Sequence, residues 1–146
     1  MQKQYYAVIC GQPAQESGEL VDYLYKDKEG KARVVTGQEK CFPEAKKAVL
    51  QYRIVKEIST KLSISLADIH IDTGRFHQIR AQMAHAGMPL LGDSKYGNEI
   101  SQALSRECGI RNVALCAYRL GLIHPVTKEE LSFTVEPEGE AFLLDK

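Results

Sequence analysis

Apolar and polar residues alternate along several short stretches of the chain, which is the period of a half-buried strand. In AVLQYRIVKEIS, residues 48–59, Tyr52, Ile54, Lys56 and Ile58 fall on one side. KLSISLADIHID, residues 61–72, alternates more cleanly, with Leu62, Ile64 and Leu66 against Ser63 and Ser65. Only Ser59, Thr60 and Lys61 join the two, so an antiparallel hairpin is expected. KQYYAVIC, residues 3–10, is rich in Tyr, Val and Ile and reads as a strand. GQPAQESGE, residues 11–19, is a loop by its Gly, Pro and Ser. Residues 20–37 hold short extended pieces about a turn at Glu29-Gly30. VALCAYRLGLIHP (113–125) and ELSFTV (130–135) are two further strands, turning in HPVTKE (124–129).

The period changes to three and four at Phe76, Ile79 and Met83, which predicts a helix over 75–86. Thr73 is placed to cap its start, and Gly87 with Pro89 to end it. NEISQALSRECG (98–109) predicts a second helix closed by Gly109, and GEAFLLD (139–145) a third. Five or more strands with two or three short helices make a single α+β domain over 1–146, built on a mostly antiparallel or mixed sheet.

Composition narrows this reading. The chain has 146 residues, 44% hydrophobic and 26% charged, enough for one core and unlike a disordered segment. Its apolar runs are too short for a transmembrane helix or signal peptide, so a cytoplasmic location is expected. Cys10, Cys41, Cys108 and Cys116 form no CxxC pair and read as reduced thiols. The net charge is zero, but residues 70–128 carry seven Lys/Arg against four Asp/Glu, and residues 129–146 carry six acids and one lysine. A mildly basic middle facing a polyanion is one possibility, and an ordinary solvated surface the other.

Candidate chemistry gathers on the first helix. Phe76, Ile79, Met83 and Ala86 make its apolar stripe. His77, Arg80 and Ala84 share the next row, and Gln78, Gln82 and His85 the third. Arg75, near the helix start, is poorly placed for the macrodipole and implies a specific partner. His77 and His85 are eight apart, unlike the spacing of four in a helical zinc pair, so no metal is expected. No Gly-rich phosphate loop or GxSxG elbow occurs. The residues alone leave Arg80 either in a surface salt bridge or aimed at a carboxylate or phosphate.

TGRFHQIRAQMAHAGMPLLGDSKYG, residues 73–97, resembles the signature of the RluA-type pseudouridine synthases, TGRxHQIR followed by GxPLLGDxxYG. KQYYAV resembles that family's KxYxA strand through Lys3, Tyr5 and Ala7. VALCAYRLGLIHPVT resembles a later L-H-A strand and His-Pro turn through Leu115, Ala117, His124 and Pro125, with Cys116 in place of the usual His. LSFTVEPEGEAF fits the family's ending. The resemblance implies RNA as partner, rRNA or tRNA, and uridine isomerisation without cofactor or metal. It implies that Tyr5 stacks on the target base and moves a proton, that Arg80 orients the nucleophilic aspartate, and that Leu115 lines the uracil pocket. Lys3, Arg75, His77 and Gln78 are then expected to position the helix or reach RNA phosphate.

The family's nucleophile lies in an HRLD motif upstream of KxYxA. These 146 residues contain no HRLD, and none of Asp22, Asp27, Asp68, Asp72, Asp93 or Asp145 has that context. The chain therefore reads as the C-terminal half of the catalytic domain, inactive alone. Arg80 is then expected to lack its carboxylate, at a cost of about 3–5 kcal/mol unless it swings to solvent or another anion replaces the acid. An open sheet edge predicts a homodimer or swapped assembly. The alternative is a non-catalytic RNA-binding or dimeric remnant.

Overall fold

The computed structural model describes residues 2–35, 45–123 and 130–134; for Gln2, 117–123 and 130–134 it gives the backbone path only. The strands are β1 (Gln2–Cys10), β2 (Ser17–Lys26), β3 (Ala32–Val35), β4 (Lys46–Ser59), β5 (Ile64–Ile71), β6 (Leu115–Ile123) and β7 (Glu130–Thr134). The helices are α1 (Gln78–His85) and α2 (Glu99–Cys108). The strands form one sheet in the order β3-β2-β4-β5-β1-β6-β7, and every pairing is antiparallel. This is the α+β architecture expected. The third helix and the turn at 124–129 lie outside the described residues.

Alternation along the strands builds two cores, one on each face of the sheet. Ala7 and Ile9 of β1, Leu50 and Tyr52 of β4, and Ala67, Ile69 and Ile71 of β5 point to one face. There Ile79 and Met83 of α1 cover them. Val8 and Cys10, with Ile64, point to the other, where Leu104 and Cys108 of α2 pack with Leu91 and Ile110. The expected β4 pattern fails at its end: Ile58 sits in this second cluster, away from Tyr52 and Ile54. The β4–β5 register shifts between Ile54 and Lys56 and again between Glu57 and Ser59. Each bulge adds a residue to one strand and turns the following side chain to the opposite face.

The helix on the first face also departs from its expected stripe. It begins at Gln78, so Phe76 belongs to the preceding loop and is 42% exposed, and Ala86 past the other end is exposed. The buried arc is Gln78, Ile79, Ala81, Gln82 and Met83. Polar side chains enter it because the underlying strands offer carbonyls: the Gln82 amide donates toward the Leu20 and Ala48 carbonyls and the Asp22 carboxylate. Thr73 does not cap α1. Its hydroxyl accepts the Val49 N–H and donates to the Gln78 carbonyl oxygen, while left-handed His77 occupies the cap position without a side-chain bond. By contrast α2 starts in a capping box between Asn98 and Ser101 and ends at Gly109.

Gly92 connects the β1 side of the core to the turn that precedes α2. Its φ is +81°, and an added Cβ would lie 2.0 Å from the Asn112 carbonyl oxygen. Gly30 has a similar φ of +83° with open space around it. Gly30→Ala is expected to cost only the left-handed penalty, about 1–2 kcal/mol. Gly92→Ala meets backbone that cannot yield and is expected to cost far more. Urea denaturation of the two variants checks this; equal losses would refute it.

Candidate active site

The site forms where β1, β5 and β6 pass beneath the start of α1. A cleft of about 190 Å³ opens there. Lys3 and Tyr5 reach it from β1, Leu115 from β6, and Arg75, His77, Gln78 and Arg80 from the loop and helix above. All seven residues expected from the sequence therefore meet around one cavity. Ile71, Gly74 and Ile79 complete its wall.

The loop is sewn down by Gln78. This side chain is 2% exposed. Its carbonyl oxygen accepts from the Thr73 hydroxyl and the Arg75 N–H, and its amide nitrogen donates to the Val49 carbonyl. With its amide so engaged, Gln78 holds the loop against β4. Arg75 remains exposed, its Nε donating to the Lys47 carbonyl at 3.0 Å. An added Cβ at Gly74 would stand 3.8 Å from Lys3 Nζ, so the lysine lies directly under the loop.

Arg80 is not an unpartnered cation. Its Nε donates to Asp93 Oδ2 at 3.0 Å and its Nη2 to Oδ1 at 2.9 Å, a side-on bidentate pair. Asp93 is 2% exposed, and its Oδ1 also accepts the Lys95 and Tyr96 N–H groups. The expected desolvation cost is thus offset by a carboxylate of the same chain. The bond to Asp93 raises the Arg80 pKa against the opposing effect of burial. Tyr96, the second unforeseen member, lies under the guanidinium, whose centre is 4.9 Å from the ring centroid. Both Asp93 and Tyr96 belong to the GxPLLGDxxYG part of the signature, but nothing in that pattern pairs either with Arg80.

His77 closes this network. Its Nε2 lies 3.4 Å from Arg80 Nη1 and its Nδ1 is 2.7 Å from the Tyr96 hydroxyl. Arginine can only donate, so Nε2 must accept and Nδ1 carries the proton toward Tyr96. A second proton would face the guanidinium. Burial, then Arg80 and Lys95, lower the His77 pKa from its ordinary 6.5. On the opposite wall, burial raises the Tyr5 pKa, so the phenol keeps its proton at neutral pH. Among the described residues no group of three His, Cys, Asp or Glu is arranged to hold a metal ion, and no helix is long and apolar enough to cross a membrane.

The antiparallel sheet thus places a half-buried phenol on one wall of a cleft and a carboxylate-braced arginine on the other. The chain belongs to the RNA pseudouridylate synthase family, of the RluA type: the family model described as RNA pseudouridylate synthase matches residues 1–85. The chain is 30% identical over 152 residues to RNA pseudouridine synthase 2, chloroplastic, of Oryza sativa subsp. japonica, covering 93% of this chain and 34% of that protein. It is 33% identical over 136 residues to the dual-specificity RNA pseudouridine synthase RluA of Pasteurella multocida, covering 92% and 57%. The solved human RNA Pseudouridylate Synthase Domain Containing 1 shares the fold, with a TM-score of 0.73 at 20% identity over 92% of this chain and 54% of that one. The chain thus spans between a third and three fifths of these relatives.

Two outcomes follow from the network. Asp93→Ala strands a half-buried guanidinium and two turn N–H groups, so a loss of about 3–5 kcal/mol is expected by urea denaturation; a loss under 1 kcal/mol would refute the pairing. The folded state holds His77 below its unfolded pKa, so it binds fewer protons than the unfolded chain. Its contribution to stability is present above pH 6.5 and is lost as pH falls below that, through the lower folded pKa. His77→Asn, which tolerates the left-handed backbone, should flatten the fall in melting temperature just below pH 6.5.

Proposed function

We propose that the chain forms the uridine-holding side of a pseudouridine synthase active site acting on rRNA or tRNA. The observation that carries this reading is that Arg80, braced from behind by Asp93, lines the same cleft as Tyr5 and Leu115. A guanidinium has five N–H donors. Asp93 takes one on Nε and one on Nη2, and Asp93 is not part of the cleft lining. The donors left on Nη1 and Nη2 suit a second carboxylate entering from the cleft side.

That second carboxylate is the nucleophilic aspartate of the HRLD motif, supplied from outside the 146 residues by a longer chain or by another molecule. It bonds to the ribose anomeric carbon as the bond from that carbon to the ring nitrogen breaks; the base turns, and its C5 bonds to the same carbon as the bond to the aspartate breaks. The proton on C5 is removed and the released ring nitrogen ends protonated, so the product is an isomer. No cofactor or metal is called for. Tyr5 stacks on the base and relays the proton from a phenol kept neutral by burial, and Leu115 packs against the uracil edge. Lys3 and Arg75 face the flanking phosphates, and His77 and Gln78 hold the helix start in place. The base must leave its stack to enter the cleft. The free thiols of Cys10 and Cys108 fit a cytoplasmic setting. β3, which among the described residues pairs only with β2, is an edge at which a homodimer or swapped assembly would form.

Tritium release from RNA labelled at uridine C5 tests the reading. The 146-residue chain alone should release none, and the chain joined to an HRLD-bearing segment should release it. In that complete protein Tyr5→Phe should slow the reaction by about 10²–10⁴-fold. Release by the lone chain would overturn an external nucleophile, and none from the complete protein would overturn the function.

A further inference from the structure

Phe76 stands at the rim of the cleft, between two residues that line it. It is the only aromatic among the large exposed hydrophobic side chains described. A single exposed ring needs no explanation in itself. This one is held in a particular pose. It stacks on the His77 imidazole with centroids 3.9 Å apart and planes 22° from parallel. His77 is in turn fixed by its contacts to Tyr96 and Arg80. The ring is therefore presented on a braced support.

Its second face carries a cation. Lys26 Nζ stands 4.4 Å from the ring centroid. The 3.9 Å stack leaves no room for the ammonium on the His77 side, so Lys26 occupies the outward face. Further cations stand near the ring: Lys31 lies 5.4 Å over the Tyr96 ring, and Arg75 is exposed alongside. A basic surround with an outward aromatic face is the arrangement that receives unpaired nucleotides. A solvated ammonium over a phenyl ring is held more weakly than a stacked nucleobase. Exchange therefore favours the base, and the freed lysine lies within reach of the adjoining phosphate.

We propose that Phe76 is the stacking platform for the unpaired nucleobase next to the uridine in the cleft, with Lys26 moving from the ring to that nucleotide's phosphate. This rests on the RNA reading of the cleft. It assigns to the loop a contact outside the reacting base, one that any of the four bases can make because each has a π face.

The test is fluorescence anisotropy with a short unstructured RNA carrying one uridine, and with two versions abasic on its 5′ or its 3′ side. For the intact RNA, Phe76→Ala should weaken binding roughly tenfold and Phe76→Tyr should not. One abasic RNA should bind the wild type as weakly as Phe76→Ala binds the intact strand, and Phe76→Ala should not distinguish the two. Lys26→Ala should reduce the slope of log affinity against log salt by about one. Unchanged affinity in Phe76→Ala, or an equal loss on all three RNAs, would overturn the platform while leaving RNA binding intact. Failure of the wild type to bind any of the RNAs at low salt would instead overturn the RNA reading itself.

Discussion

The buried contact between Arg80 and Asp93 ties together the parts of this protein that matter for its chemistry. Asp93 serves two structures at once. One oxygen receives the N–H groups of Lys95 and Tyr96 and so shapes the turn; both oxygens receive the guanidinium. A carboxylate with that many donors is desolvated at little net cost, whereas the same group with one donor would not be. The turn fixes the acid, the acid fixes the arginine, and the arginine fixes His77. Tyr96 returns the chain of contacts to the sheet by accepting the Ala32 N–H. The position of the cleft wall is thereby set from both sides of α1.

This arrangement separates two tasks that one arginine is often asked to perform. The side-on edge of the guanidinium is bound to Asp93, and in the proposed function the end-on edge takes the second carboxylate. Asp93 holds that orientation from within the same chain. Preorganisation of that kind spares the site the reorganisation that a swinging side chain would require.

Much of this was legible in the sequence, and the failures are instructive. The strands were readable because residues such as Ala67, Ile69 and Ile71 sit on one face at period two. Ile58 was misplaced because bulges in β4 break that period, and nothing in the local composition marks them. The α1 stripe was drawn one turn too long, since it took exposed Phe76 and Ala86 for core and missed buried Gln78 and Gln82. Amides are buried there because strand carbonyls face them, which is a property of the neighbouring strands. The seven cleft residues could be named from three stretches that resemble the family: the β1 strand, the signature and the β6 strand. The partner of Arg80 could not, because the pair joins a helix to a turn thirteen residues later, a separation with no helical or strand period. Thr73 was legible as a polar loop residue, but its hydroxyl serves Val49 and Gln78 in place of a helix end.

β1 is an interior strand although it holds the lowest residue numbers. Tyr5 pairs with Ile69 on one side and Ala117 on the other. Closing those two loops is entropically slow compared with forming the local β4–β5 hairpin. During synthesis β1 precedes both of its partners and must wait, hydrogen-bonding groups open, until β5 and then β6 have emerged. The tyrosine wall of the cleft is thus among the last features to set, and a ribosome-bound chain that ends short of β6 has the helix and its arginine before it has a cavity.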